Sequence, residues 1–313
     1  MKIAFLDKRL RPASLATIAT VNMVLSNYER LGLRLTLRQL FYQLVVRNTI
    51  TNTERSYKNL GSLVSDGRLA GQIDWSMIED RIRVPRIPNE FSGLRELVDA
   101  ALASYRLPRW SGQDKYVELW VEKDALSGVI APLANEYHVT LMVNRGYSSQ
   151  SAMYDAYLRF SRRSRNGKEC LLYYLGDHDP SGEDMVRDIS DRLHVFGVDV
   201  KVTKIALTME QVQQYNPPPN PAKVTDSRFA QYAAKYGDES WEVDALPPDV
   251  LDSLIRGTLE EVIDAGAMDT VKEQEEIDKQ RLIDAVDTLN ESGAADDTSP
   301  QAQGPGQEEE RPC

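Results

Sequence analysis

The 313-residue sequence predicts an α/β plus α protein: an N-terminal winged helix-turn-helix domain, then a Rossmann-like parallel sheet, then an acidic helical extension. Three observations predict it. Apolar residues recur at helical spacing in three short segments before residue 70, and apolar strand candidates alternate with helical segments between residues 116 and 205. The third is charge: residues 1–110 hold 17 Lys or Arg against 10 Asp or Glu, residues 111–236 hold 15 against 16, and residues 237–313 hold 5 against 22. Although the formal net charge is -11, the front of the chain has the basic balance of a surface that meets a polyanion.

In the front region, Leu15, Ile18, Ala19, Val21, Met23, Val24, Leu25 and Tyr28 define a first helix over Ser14 to Arg30, stopped by Leu31-Gly32. Thr36 is placed as the N-cap of a second, carrying Leu37, Leu40, Phe41, Leu44 and Val45 and ended by Asn48. A third runs from Asn52-Thr53 through Tyr57, Leu60 and Leu63 to Gly67. Pairing of Ile73-Asp74-Trp75 with Ile82-Arg83-Val84 would complete a wing. On that arrangement the third helix reads DNA, with Arg55 and Lys58 on it and Arg68 just beyond its end as the DNA-binding candidates. The competing reading is a solvated basic face.

Pro85, Pro88 and Pro108 mark a connector around one helix, Ser92 to Tyr105. Strands are expected at Tyr116–Val121, Val139–Val143, Cys170–Leu175 and Val198–Ile205, with helices at Leu126–Tyr137, Gln150–Ser164 and Gly182–Phe196 between them. Such alternation implies a parallel sheet with crossover helices. After Pro217-Pro218-Pro219, helices are expected over Asp249–Ala265 and Thr270–Leu289, and the polar remainder has too little apolar content to fold. The boundaries are therefore 1–110, 111–210, 211–289 and 290–313.

With 42% hydrophobic residues the chain can bury a sizeable core. Its two cysteines, Cys170 and Cys313, support neither a disulfide framework nor a cysteine zinc site, so a reducing cytoplasm is expected. No apolar run approaches the ~20 residues of a membrane span, and no membrane association is expected.

The chemistry is expected at two strand ends. Trp120-Val121-Glu122-Lys123-Asp124 closes the first strand, and Leu175-Gly176-Asp177-His178-Asp179-Pro180-Ser181-Gly182 closes the third. Ligands of open parallel sheets bind beyond the carboxyl ends of the strands, so Glu122, Asp177 and Asp179 are expected to converge. Hard carboxylate oxygens without a His or Cys pair suit Mg²⁺, which serves phosphodiester chemistry. His178 reads as a packing residue rather than a ligand, and Glu183 as a helix-opening acid. In Trp241-Glu242-Val243-Asp244-Ala245-Leu246, Glu242 reads first as part of an edge strand or helix start, and second as a member of an acidic site.

The Glu-ended strand and the Asp-x-Asp-Pro-x-Gly ending resemble the Toprim domain. More narrowly, Val121-Glu122-Lys123-Asp124-Ala125, the Gly146-Tyr147 turn and Asp177–Gly182 resemble the A subunit of topoisomerase VI and its meiotic double-strand-break relatives, over roughly residues 14 to 205. That resemblance implies Glu122 as general acid/base near the metal, with Asp177 and Asp179 as Mg²⁺ ligands. It also implies that Tyr42, in Thr36-Leu37-Arg38-Gln39-Leu40-Phe41-Tyr42, attacks double-stranded DNA to form a phosphotyrosyl link, with Arg38 one helical turn away as its aid. Gln39, Phe41 and Ser148-Ser149 depart from the family pattern. A homodimer is implied, and a separate ATPase subunit for any strand passage, because no phosphate-cradling ATPase motif is present. The alternatives are a Toprim nuclease that activates water, with Tyr42 a core residue, and a non-catalytic DNA-binding or assembly protein.

Overall fold

The computed structural model describes residues 2–78, 88–144 and 146–294. Helices α1 (Pro12–Glu29), α2 (Leu37–Val46) and α3 (Glu54–Leu69) come first, followed by α4 (Leu94–Ser104). Then β1 (Lys115–Val121), α5 (Ser127–Glu136), β2 (Thr140–Val143), α6 (Gln150–Arg165), β3 (Glu169–Leu175), α7 (Pro180–Val195) and β4 (Lys201–Ala206) alternate as expected. The chain continues through α8 (Met209–Tyr215), β5 (Asn220–Pro221), α9 (Phe229–Tyr236), β6 (Glu239–Ser240), α10 (Pro248–Glu260) and α11 (Ala265–Ala294).

The protein is α/β, with a four-stranded parallel sheet in the order β2-β1-β3-β4. Strand alternation decides what covers each face. Val117, Leu119, Val121, Leu171, Tyr173 and Leu175 point into a core shared with α5 and α10, through Ile130, Leu133, Leu251 and Ile255. Tyr116, Trp120, Cys170, Leu172 and Tyr174 point the other way, toward Met153, Ala156 and Phe160 of α6 and Met185 and Ile189 of α7. Both faces are covered by apolar side chains, with Glu118 and its partner Arg159 as a charged pair within the α6 face.

The three front helices bury one core of Ile18, Val21, Val24, Leu25, Leu40, Leu44, Leu60 and Val64. Thr36 caps α2 in a capping box with Gln39, whose Oε1 accepts from the Thr36 N–H at 2.8 Å. Thr53 caps α3, and Asn48, at φ 53°, ends the preceding turn. The first arm of the expected wing is not a strand. Asp74 folds that segment into a turn by accepting from Ser76 N–H and hydroxyl, while Trp75 packs edge-on against Phe5. The second arm, Ile82-Arg83-Val84, lies outside the described residues.

The chain divides into two compact units, one of Met1–Ile87 with Arg109–Met268 and one of Pro88–Pro108 with Asp269–Cys313. This differs from the division read from sequence. Residues 211–268 do not form an extension, because Leu251, Ile255 and Leu259 of α10 complete the core on one face of the sheet. In the second unit, the Tyr105 hydroxyl donates to Asp278 at 2.9 Å and the Leu107 N–H to the buried Glu275 at 3.1 Å. Helix α11 also runs five residues past Leu289, to Ala294, so the expected unfolded tail starts too early; 295–313 lie outside the described residues. Among the described residues, no helix is long and apolar enough to cross a membrane.

Candidate functional site

Parallel pairing of Val121 with Leu175 puts Glu122 and Gly176-Asp177 side by side at the carboxyl edge of the two central strands. Glu122 Oε2 accepts the Asp177 backbone N–H at 3.0 Å and the Tyr174 hydroxyl at 3.3 Å. The motif glycines allow this approach. A Cβ at Gly176 would lie 2.5 Å from the Tyr174 ring and 2.8 Å from Glu122 Oε2, and one at Gly182 would lie 2.1 Å from the Asp177 carbonyl oxygen.

Asp177 is buried, and its Oδ1 accepts the Val243 N–H at 2.9 Å and pairs with Lys123 Nζ at 2.9 Å. Asp179 has a different first duty. Its Oδ1 caps α7, accepting from Gly182 N–H at 2.6 Å and the Ser181 hydroxyl at 2.9 Å, with Pro180 in the first turn. His178 packs as expected, 1% exposed, with Nδ1 2.8 Å from the Tyr232 hydroxyl and its ring edge-on to Tyr236 and Trp241. Glu183 is held by Lys204 at 2.7 Å, and Lys204 also donates to the Asp177 carbonyl at 2.7 Å.

Lys123 is the residue that sequence reasoning quoted without assigning a role. Its ammonium sits among Asp177, Glu242 at 2.9 Å and Asp244 at 3.2 Å. Glu242 thus joins the acidic cluster, and of its other two readings it fits the helix start and not the edge strand: it immediately precedes a 3₁₀ turn, Val243–Ala245, that buries the Asp244 side chain. From the front helices Arg38 reaches the same cluster. Its Nε donates to Glu242 Oε2 at 3.0 Å, its Nη2 makes a further contact with that oxygen, and its Nε lies 2.9 Å from Asp244 Oδ2.

Three carboxylates face two cations here, and burial decides how they titrate. Desolvation pushes Asp177 up to about 6 in spite of Lys123, and pushes Asp244 up to about 6 against both Lys123 and Arg38. Glu242 goes the opposite way. Burial opposes its ionisation, yet Lys123 and Arg38 hold it down to about 2. Lys123 is likewise raised above its ordinary value, since Asp244, Asp177 and Glu242 outweigh the cost of burying it.

Tyr42 is buried, with its hydroxyl 3.5 Å from Arg38 Nη2. Burial and then the charges of Glu242 and Asp244 raise its pKa above the ordinary phenol value. A cleft of about 210 Å³ opens beside it, lined by Arg38, Tyr42, Thr53, Tyr57, Asn220 and Glu242. The DNA-contact candidates are dispersed. Arg55 and Lys58 are exposed on α3, where Lys58 pairs with Glu54 at 2.7 Å. Arg68 is a correction: it lies within the last turn of α3, not beyond it, and its guanidinium turns inward to the carbonyls of Trp75, at 2.9 Å, and Ile78, which makes it a brace.

The fold therefore unites Glu122 with Asp177, links both to Arg38 and Tyr42 through Lys123 and Glu242, and commits Asp179 to a helix cap. Among the described residues, no three Asp, Glu, His or Cys side chains are gathered in a ready-made metal cage. The donor chemistry still fits Mg²⁺. Glu122 Oε1, Asp177 Oδ2 and Asp179 Oδ2 accept no hydrogen bond among the described residues, and Mg²⁺ takes one or two carboxylates plus water and substrate phosphate. Compared with known proteins, the chain matches no family model, no curated protein and no solved structure.

Proposed function

We propose that this chain breaks the backbone of double-stranded DNA in a Mg²⁺-dependent reaction at the carboxyl edge of its sheet, as a winged-helix and Toprim protein resembling the topoisomerase VI A subunit. One observation carries the reading: an unbroken run of polar contacts from the Tyr42 hydroxyl through Arg38, Glu242 and Lys123 to Asp177 and Glu122. Tyr42 and Glu122 are 80 residues apart in sequence, and their side chains belong to one network.

Glu122, with one oxygen held by the Asp177 N–H and Tyr174, keeps the other for proton transfer or for metal. Bound Mg²⁺, held by Asp177 with Glu122 or Asp179, would stabilise the charge that develops on the departing 3′ oxygen. Tyr42 supplies the attacking oxygen, and Arg38 faces both that hydroxyl and the phosphate it attacks. The family resemblance supports a homodimer, in which the tyrosine of one protomer meets the metal of its partner, and a separate ATPase subunit wherever strands are passed.

A second reading is favoured by the burial and raised pKa of Tyr42, since a neutral, enclosed phenol is a poor nucleophile. Water would then attack, and the protein would be a hydrolytic nuclease. Denaturing an active reaction and assaying for DNA that stays attached to protein separates the two. Attachment is expected, and Tyr42→Phe abolishes it while remaining folded. Cleavage to free ends by both proteins establishes hydrolysis; absence of Mg²⁺-dependent cleavage in the parent removes the enzymatic reading altogether.

A further inference from the structure

Three charged N–H groups converge on a single oxygen of this protein. Glu242 Oε2 receives Arg38 Nε at 3.0 Å, Arg38 Nη2, and Lys123 Nζ at 2.9 Å, while Glu242 Oε1 receives no hydrogen bond among the described residues. An arginine that serves only to pair a carboxylate tends to meet both oxygens with its fork. Here two cations from separate elements, α2 and the end of β1, aim at one point beside the Tyr42 hydroxyl. That is how an oxyanion is held.

We propose that Arg38, Lys123 and the Tyr42 hydroxyl form a binding site for a phosphodiester oxygen, and that the Glu242 carboxylate is the chain's own occupant of that site. The cleft beside Tyr42 gives access; Arg38 lines it, and its side chain is 42% exposed. Glu242 is 23% exposed and can swing toward that cleft, whereas Asp244, at 0%, is fixed beneath. Charge selects the ligand class. A phosphodiester carries one negative charge, as the carboxylate does, so the exchange leaves the balance of the cluster unchanged. A phosphomonoester dianion would bring one negative charge more than the carboxylate it replaces, beside Asp177 and Asp244, whose two carboxylates already match Lys123 and Arg38.

In taking DNA as the source of the diester, the proposal rests on the strand-breaking reading; the site itself does not require cleavage. Its test uses the full chain in EDTA, so that no cutting occurs, with the dinucleoside monophosphate TpT as the diester probe and thymidine 5′-monophosphate as the monoester. Glu242→Gln should bind TpT roughly tenfold more tightly than the parent, since a competing charge is removed at contact distance, and should prefer TpT to the monoester. Adding Arg38→Gln should erase the gain. A Glu242→Gln protein that binds TpT no better, or a gain that survives in the double variant, overturns the proposal. Should Glu242→Gln fail to fold, phenylglyoxal modification of Arg38 in the parent decides: protection by TpT is expected, and unchanged modification overturns the site. Loss of cleavage in the parent with the TpT gain intact would sink only the strand-breaking reading, and cleavage without the gain only this one.

Discussion

The sheet buries carboxylates in two places, and partners them in opposite ways. Glu118, in the middle of β1, is 0% exposed, yet the Arg159 fork meets both oxygens at 2.7 and 2.9 Å, and the Tyr116 hydroxyl and Trp120 indole N–H each donate at 2.8 Å. One negative charge meets one positive charge, with both oxygens served. At the carboxyl edge, Asp177, Glu242 and Asp244 share Lys123 and Arg38, and among the described residues Asp244 Oδ2 has the Arg38 charge beside it but accepts no hydrogen bond. Burial alone therefore does not mark a functional acid. A surplus of buried negative charge is what sets the carboxyl edge apart, since folding tolerates it only at a cost that a bound cation could relieve.

Substitutions at the two places should separate them. The largest effect is expected from Asp177→Ala at the surplus site: Mg²⁺-dependent cleavage should fall by about a thousandfold or more, while thermal stability is retained, because the lost carboxylate was poorly compensated. Near-normal cleavage in titrated Mg²⁺ would show that the surplus is structural after all. Next comes Arg159→Ala at the balanced site, which strands the Glu118 charge in the core. It should cost on the order of 3 kcal/mol in urea unfolding, with little effect on DNA binding. A stability loss below that of an ordinary surface substitution would mean that the Tyr116 and Trp120 donors suffice on their own.

A smaller effect is expected from Asp244→Asn, read through pH. In the folded chain Asp244 holds its proton up to about 6, against an ordinary value of 3.8, so between those values the folded state binds more protons than the unfolded. Stability contributed by this group is therefore present at acid pH and falls as pH rises from about 4 to about 6. Asp177 acts in the same direction, and Glu242, held at about 2, gives the reverse slope only below its ordinary 4.5. Asp244→Asn should flatten the fall between pH 4 and 6 in a series of unfolding curves. An unchanged slope would assign the fall to Asp177 alone.

Much of this arrangement was legible in sequence wherever its determinants are local. The strands of the sheet, the cap at Thr36, the start of the third helix at Asn52-Thr53, and the placement of Glu122 and Asp177 beyond adjacent strand ends follow from periodicity, cap residues and the ligand-edge rule for parallel sheets. What escaped depends on contacts between distant residues. Arg38 meets Glu242 across 204 positions, and Lys123 meets Asp244 across 121, with no spacing rule to announce either. The run Trp241–Leu246 was conspicuous for alternating acids and read as an edge strand or a helix start; a 3₁₀ turn starts there, but nothing in the alternation announced its long-range partners. Helices α8 and α9, of seven and eight residues, were too short for a periodic signal. Arg68 misled for a different reason: its acceptors are backbone carbonyls in a turn, which have no sequence signature.

The close approach at Gly176 and Gly182 extends the site beyond its charged members. A methyl group at either position would collide with an atom that orients Asp177 or Glu122, so neither glycine can be exchanged without moving a carboxylate. In a map of tolerated substitutions, these two uncharged residues should therefore be as intolerant as the acids beside them, and the interval from Gly176 to Gly182 should read as a single indivisible unit. Selection on the chemistry would act on the backbone's shape as much as on its oxygens, and a descendant that lost activity could do so first through a glycine, with every acidic residue still in place.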